Sequence, residues 1–478
     1  MQFLALFFYL SILVFIGYKS HLKHQTANDF ILGSRKMNFW ITALAAHASD
    51  MSSWIFMAYP AVIFATGLIN VWVAIGLTFF MFLNWHFVAP KLRRMTEHYN
   101  SLTLPSFFES RFQDTSGFLR ISTVVISLVY YTVYISAGLV GLGLLIETLF
   151  GVPYLLGVFL GIVVIIPYLF IGGYVTLAWT DLFQGIFLIC AIVLVPLYAL
   201  PKVGGIAGMQ AAILAKKSLE GILPNTSPLT FFKIFSLITS WGLGYFGMPH
   251  ILTKFMGIKN VDDMPKSKWF GISWQIVSLT AATFVGLIGV AFFAQNGLAD
   301  DQLVFVDMVT SLFTPFIGAF ILCAILGTTI TCTDSQILVL ASNLTEDLYK
   351  KVISKDASSK ELLLTSRISV LIVTLIAFLL AISNSSTIFS IVSYAWFGLG
   401  ASFGPLVIFS LYVKSTTRAG AFAGIISGAL ISGFWPLINN FIPIDIPTLI
   451  PGFFISSFTI WLFSFMTKRK DLENHETT

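Results

Sequence analysis

Residues Ala45 to Pro60 read A-A-H-A-S-D-M-S-S-W-I-F-M-A-Y-P and lie inside an otherwise apolar run that extends from Phe39 to Val73. His47, Ser49, Asp50, Ser52 and Ser53 are thus polar groups in a stretch long enough to cross a bilayer. An ionised Asp at membrane depth costs at least ~2.5 kcal/mol, so Asp50 requires a cation, a donor or water beside it. A helix unwound in mid-membrane has the same composition, because its freed amides and carbonyls must face a cavity. The stretch reads as half of an ion and solute site.

Working outward, 57% of the 478 residues are hydrophobic and 10% are charged, with a mean hydropathy of +0.88. Soluble globular chains do not reach these values, and the class is an all-α integral membrane protein. Cys190, Cys323 and Cys332 all fall in apolar runs, which excludes a disulfide framework and a cysteine-rich metal site. Met1 to Gly17 is apolar with no basic residue before it and no small-residue cleavage signal, and Lys19 and Lys23 follow it. It is read as a first span, not a signal peptide. The net charge of +5 reports loop topology and implies no nucleic-acid partner.

Apolar windows predict about 13 transmembrane helices near 2–18, 38–68, 70–90, 119–150, 153–174, 181–200, 230–253, 271–296, 310–344, 366–384, 386–413, 419–440 and 447–467. With the N-terminus outside, all but Lys202, Lys216, Lys217 and Lys233 of the 27 Lys and Arg fall on the inner side, Lys254 among them. The bias places the protein as a multi-pass chain of the cell membrane with a cytoplasmic C-terminus. The chain 1–478 is expected to form one membrane domain. Its parts are a flanking span at 1–20, a core at 37–414, two further spans at 419–467 and a tail at 468–478. Lys202 to Leu229 is expected to be an outer loop with a short surface helix. Leu344 to Lys360 reads as a polar inner loop in which Glu346 and Asp347 are solvated.

The seventh window contains T-S-W-G-L-G-Y-F-G-M-P-H, Thr239 to His250, with three glycines and a proline that no continuous helix favours. The second and seventh spans are therefore predicted to be broken, five spans apart, which is the sequence signature of two inverted halves sharing a midplane site. Asp50, Asp181 and Asp334 are the acids that fall inside spans or at a gated end. In A-I-L-G-T-T-I-T-C-T-D-S-Q, Ala324 to Gln336, residues Thr328, Thr331 and Ser335 share one helical face. Their hydroxyls either join freed carbonyls in an oxygen cage for a hard monovalent cation or back-bond to their own helix.

Six runs in unbroken order resemble the sodium/solute symporter family, and most of all its bacterial sodium/proline symporters. They are I-L-G-S-R (Ile31 to Arg35), A-S-D-M-S-S-W (Ala48 to Trp54), A-W-T-D (Ala178 to Asp181), W-G-L-G-Y-F-G-M-P-H-I-L (Trp241 to Leu252), L-T-E-D-L-Y-K (Leu344 to Lys350) and S-Y-A-W-F-G-L-G-A-S-F-G-P (Ser393 to Pro405). The resemblance implies a LeuT-type 5+5 inverted-repeat core and alternating access driven by a cation gradient. It implies a main sodium site at Ala48, Met51, Thr328, Thr331 and Cys332, and a second cation or proton site at Asp181, Asp334 and Ser335. It further implies a substrate pocket lined by Ser52, Trp54, Tyr134, Trp241 and Tyr245, whose aromatic faces suit the secondary ammonium of a zwitterion such as proline.

Cys332 departs from the family's hydroxyl, and a thiol is a poor ligand for a hard ion. Asp334 replaces a hydroxyl with a carboxyl, and two facing acids normally hold a proton between them. Two readings follow: protons replace sodium wholly or in part, with His47 assisting one turn from Asp50, or sodium drives transport through a loosened main site. Arg35 reads as a cytoplasmic gate charge or a topology determinant, and Asp50 as a structural or gating acid. The pocket chemistry would also accept a betaine, and a non-pumping channel or sensor is the remaining alternative. No Ser-His-Asp order, H-E-x-x-H or nucleotide-binding glycine loop is present, so an enzyme is not expected. No cofactor beyond the coupling ion is implied, the partners are the bilayer and a small zwitterion, and the sequence leaves the oligomeric state open.

Overall fold

A computed structural model describes residues 1–21, 32–171, 174–295, 297–354, 356–383 and 386–476. Lys23, Ile31 and Lys355, and the side chains of Lys360, Lys468, Arg469 and Lys470, lie outside the described residues. The first helix, α1, is Gln2–His21. The second predicted span is a pair, α2 (Phe39–Met51) and α3 (Ala58–Thr66). The third runs through α4 (Val71–Leu83), a wider π turn at Asn84–Val88 and α5 (Ala89–His98). After a short α6 (Leu104–Arg111) come α7 (Phe118–Phe150), α8 (Tyr154–Ile171) and α9 (Tyr174–Ala199). The second half begins after the surface helix α10 (Gly205–Ala215) with α11 (Pro228–Gly242), α12 (Pro249–Met256) and α13 (Met264–Phe292). It continues through α14 (Val304–Leu312), α15 (Pro315–Ser342), α16 (Ser359–Ala381) and α17 (Ile388–Tyr412). The last two helices are α18 (Arg418–Asn439) and α19 (Leu449–Glu476).

Ten helical segments among the described residues are long and apolar enough to cross a membrane. The other three predicted windows coincide with α1, the α2/α3 pair and α8. Local chemistry starts several of these helices. Asn38 accepts from the amide of Ile41 at 2.9 Å to open α2, and Thr103 and Ser106 form a reciprocal capping box on α6.

Both predicted breaks are present. Ser52 takes φ 44° and ψ −162°, ending α2, and its hydroxyl accepts from the amide of Trp54 at 3.2 Å before a 3-10 turn at Ser53–Ile55. In the second half, a 3-10 turn at Leu243–Gly247 leads to Met248 in an extended conformation (φ −86°, ψ 101°). Pro249 explains this, because a proline forces its predecessor out of the helical region and supplies no amide to the ladder. The break also lets backbones approach. A Cβ on Gly247 would stand 2.6 Å from the amide nitrogen of Gly404 and 2.8 Å from Cα of Gly400, both on α17.

α2 packs against α9, α12, α13 and α15, which brings the two interrupted spans together around the long, buried α15. On the predicted cytoplasmic side the ends of both are tied. The amide of Met37 donates to Gly257 O at 3.2 Å, and that of Lys259 to Met37 O at 2.8 Å.

Three expectations are corrected. Lys254 is not in an inner loop but on α12 and buried, because the second half of the broken span continues to Met256. Leu344 to Lys360 is not a free loop, since α15 runs on as a π-helix over Asn343–Ile353. Asp347 on that segment is not solvated: it is 0% exposed, accepts from Arg120 Nε at 2.7 Å and from the Thr103 hydroxyl at 3.0 Å. A buried carboxylate must be paired, and only the packing of α6 and α7 against this segment supplies the partners.

Candidate functional site

The interruption of α2 leaves the carbonyls of its last turn, Ala48 to Met51, without the following amides that a continuous helix would offer. Asp50 in that turn accepts a 2.5 Å hydrogen bond from the Tyr245 hydroxyl, which also accepts from Gln275 Nε2 at 3.2 Å. Tyr245 lies in the 3-10 turn of the second break, so the breaks are joined side chain to side chain. Its own carbonyl accepts from Asn84 Nδ2 at 3.0 Å, on the π turn of the third span. Gln275 and Asn84 carry no recognisable motif in sequence, although a buried amide in an apolar span is a signal of its kind.

Around this bond the aromatic residues named from the resemblance do converge. The Trp54 and Trp241 rings are 5.3 Å apart, and Trp54 also stacks on Tyr59 at 5.1 Å. Trp241 is bounded by Phe397 at 5.6 Å, and its carbonyl accepts from Trp396 Nε1 at 2.9 Å. Tyr134 on α7 meets His250 of α12 edge-on at 6.3 Å, and His250 Nδ1 pairs with the Tyr131 hydroxyl at 2.9 Å. Ser52, Trp54, Tyr134, Trp241 and Tyr245 are all at most 4% exposed, so they sit in the interior and not at a lipid interface. Trp54 Nε1 has no hydrogen-bond partner, leaving a buried polar atom free beside these rings.

Of the residues assigned to the main cation site, Ala48 and Met51 occupy the last turn of α2, and α15 packs against it. α9 also comes close: a Cβ on Gly185 would stand 3.3 Å from Cβ of Ala48. The neighbouring Gln184, missed in the sequence although it follows Asp181 by three residues, pairs its Oε1 with the Thr331 hydroxyl. The Thr328 hydroxyl back-bonds to Ala324 O at 2.9 Å, leaving only its carbonyl in the assigned role. Cys332 Sγ accepts from Gln336 Nε2 at 3.1 Å. The unladdered carbonyls, the Thr331 hydroxyl and the Gln184 amide oxygen fit a hard cation, and the Cys332 sulfur does not.

The second group is arranged differently from its expectation. Asp181 lies seven residues into α9, and its carboxylate accepts from Lys254 Nζ at 2.8 Å. Both oxygens of Asp334, and the Ser335 hydroxyl, have no hydrogen-bond partner, so no bond with a shared proton joins Asp181 to Asp334. His47 does not reach toward Asp50: its Nε2 accepts from Trp85 Nε1 at 3.1 Å, and its ring lies against Gly271 of α13.

Arg35 donates to the hydroxyl and carbonyl of Thr96, to Ser101 O at 2.8 Å and to Met256 O at 3.1 Å. One guanidinium thus ties the start of the second span to the ends of the third and the seventh. Burial, with Arg93 nearby, lowers its pKa to about 10, which still leaves it charged at neutral pH. Beside these segments lies a small pocket of about 20 Å³ whose lining includes Thr103, Ser127, Thr253, Ser342 and Asn343. The two breaks thus meet in the interior, and Arg35 ties the segments on the predicted cytoplasmic side of them.

Comparison with known proteins agrees with this geometry. The model of the "Sodium:solute symporter family" matches residues 30–428. The chain is 40% identical over 480 residues to "Sodium/proline symporter 2" of Staphylococcus saprophyticus, covering 98% of this chain and 93% of that protein. It is 38% identical over 460 residues to the "High-affinity proline transporter PutP" of Bacillus subtilis, covering 95% and 96%. Among solved structures, a Na+-coupled sialic acid symporter in a substrate-bound outward-open state superposes with a TM-score of 0.82 at 16% identity, over 97% of this chain and 98% of that one. MhsT in complex with L-phenylalanine gives 0.58 at 14% identity, over 89% and 97%. The fold is thereby the LeuT-type arrangement that the family resemblance implies.

Proposed function

The chain belongs to the sodium:solute symporter family, and on that premise we propose that it is a secondary active symporter that imports proline with sodium. The observation that carries this reading is the meeting of the two interrupted spans, where Tyr245 bonds Asp50 and Trp54 faces Trp241. A broken-helix midplane site with aromatic walls suits a small zwitterion: the rings enclose an apolar ring and stabilise an ammonium, while helix-end amides receive a carboxylate. The printed names of the relatives support proline as the zwitterion and sodium as the coupling ion.

In this reading the carbonyls of Ala48, Met51 and Thr328 and the Thr331 hydroxyl would hold sodium, which links solute binding to the ion gradient when present. Ser52, Trp54, Tyr134, Trp241 and Tyr245 hold the solute, and residues 37–414 form the transport core. The N-terminus faces outside and the C-terminus the cytoplasm, supported by the basic-residue bias. Asp50 fixes the break, and Arg35 holds the inner side shut while the solute is bound.

Labelled proline uptake into proteoliposomes tests the proposal. A sodium gradient at symmetric pH is expected to drive accumulation, and a pH gradient without sodium is expected to drive none. Accumulation by the pH gradient alone would transfer the coupling role to protons, and uptake of betaine in preference to proline would reassign the substrate.

A further inference from the structure

α4 and α13 leave a groove of about 510 Å³ between them on the outer face of the helix bundle, with Ile75, Phe79, Trp269 and Ile276 exposed along it. At its predicted cytoplasmic end stands Lys268, only 8% exposed. The ammonium lies 3.3 Å from His86 Nδ1, 4.7 Å from the centre of the Phe82 ring and 5.1 Å from that of Trp269. No ion pair among the described residues includes it, and the nearby Asp263 is taken by Lys266 at 2.8 Å. We propose that the groove and this ammonium together bind an anionic phospholipid of the predicted cytoplasmic leaflet, with an acyl chain in the groove and the phosphodiester on Lys268. The inference goes beyond the solute and ion sites and needs only that the chain span a membrane.

The lining decides what the groove takes. On α4 it runs from Val71 to Phe82, about 16 Å at a rise of ~1.5 Å per residue, roughly one leaflet of a ~30 Å hydrocarbon core. Two hydroxyls in its walls are spent on their own helices: Thr78 donates to Ala74 O at 2.8 Å and Thr283 to Leu279 O at 2.9 Å. A polar ligand would find little to bond there, whereas a hydrocarbon chain fills it without loss. The lysine selects the headgroup. A cation this buried is costly unless an anion meets it. With Nδ1 as acceptor, His86 is neutral, and the ring faces of Phe82 and Trp269 offset only part of the charge. Exposed Trp269 marks the level as interfacial, where the anion that a bilayer supplies is a lipid phosphate. That phosphate adds the charge-assisted bond that the protein does not provide. A zwitterionic headgroup would bring its own cation to the same place, so the lipid of net negative charge is favoured.

Native mass spectrometry of the whole detergent-purified protein, titrated with phosphatidylglycerol and with phosphatidylcholine of the same acyl chains, tests this. The first lipid bound by the wild type is expected to be held roughly tenfold more tightly as phosphatidylglycerol. Lys268→Gln, at a thermal midpoint near that of the wild type, is expected to bring phosphatidylglycerol down to the phosphatidylcholine level. Thr78→Phe, which fills the groove, is expected to weaken both lipids. Inorganic phosphate in excess is expected to leave the lipid bound. Equal affinity of the wild type for the two lipids, selectivity retained in Lys268→Gln, or displacement by inorganic phosphate overturns the proposal. If Lys268→Gln does not fold, Thr78→Phe decides, since phosphatidylglycerol bound at wild-type strength in that variant overturns it equally.

Discussion

The Tyr245 hydroxyl stands 2.5 Å from the Asp50 carboxylate, one group on each interrupted span, and both residues are buried. The bond lets an acid persist at membrane depth, because a hydroxyl donor replaces part of the water it lost. It also makes the shape of one break depend on the other.

Tyr245→Phe deletes that donor and leaves the carboxylate buried with nothing in exchange. Bonds to charged groups contribute about 1.5–3 kcal/mol. Proline affinity of the purified variant is expected to fall by roughly ten- to a hundredfold, read by equilibrium binding. Unchanged affinity would show that the bond does not set the geometry of the breaks.

Cys332→Thr puts a hard oxygen where a soft sulfur stands, at the cost of the Gln336 contact. Half-saturating sodium for proline uptake is expected to drop about tenfold, or about 1.4 kcal/mol. A rise in the sodium requirement would place position 332 outside the ion's reach.

Arg35→Gln releases the carbonyls of Ser101 and Met256 together. The pocket that Thr253 lines should then open more often toward the predicted cytoplasm. With exposed Cys190 replaced by Ser, a Thr253→Cys probe is expected to react roughly ten times faster with a membrane-permeant thiol reagent when Arg35 is absent. Equal rates would reduce Arg35 to a topology charge.

Arg120 bridges Asp347 at 2.7 Å and Glu109 at 2.6 Å. Arg120→Met strands a fully buried carboxylate, at a cost of about 3–5 kcal/mol, and should lower the thermal midpoint of the detergent-solubilised protein. Arg120→Met with Asp347→Leu should recover most of the loss, as it removes the charge that was left unpaired. Equal midpoints for the single and double variants would count against a buried pair.

Gly247→Ala brings a Cβ within 2.6 Å of the Gly404 backbone, which has no side chain to move aside. Overpacking of this kind costs about 1–3 kcal/mol. The midpoint should fall while Gly117→Ala, where a Cβ meets nothing within 4 Å, shows only the penalty of its φ of +73°.

Sequence alone determined the membrane class, the thirteen apolar windows, the two breaks and the family. Each of these is written in neighbouring residues: a run of apolar side chains, a proline after Met248, a cluster of serines after Asp50. Tertiary structure decided which charges are partners. Lys254 and Asp181 are 73 positions apart, and Arg120 and Asp347 are 227. A lysine near a span end looks the same in sequence whether it meets water or a buried acid. The distinction arises only when α9 and α12 pack, and desolvation makes an unpaired charge too costly to leave there. For the same reason the orphan oxygens of Asp334 and the Gln184 contact with Thr331 were invisible in the chain's linear order.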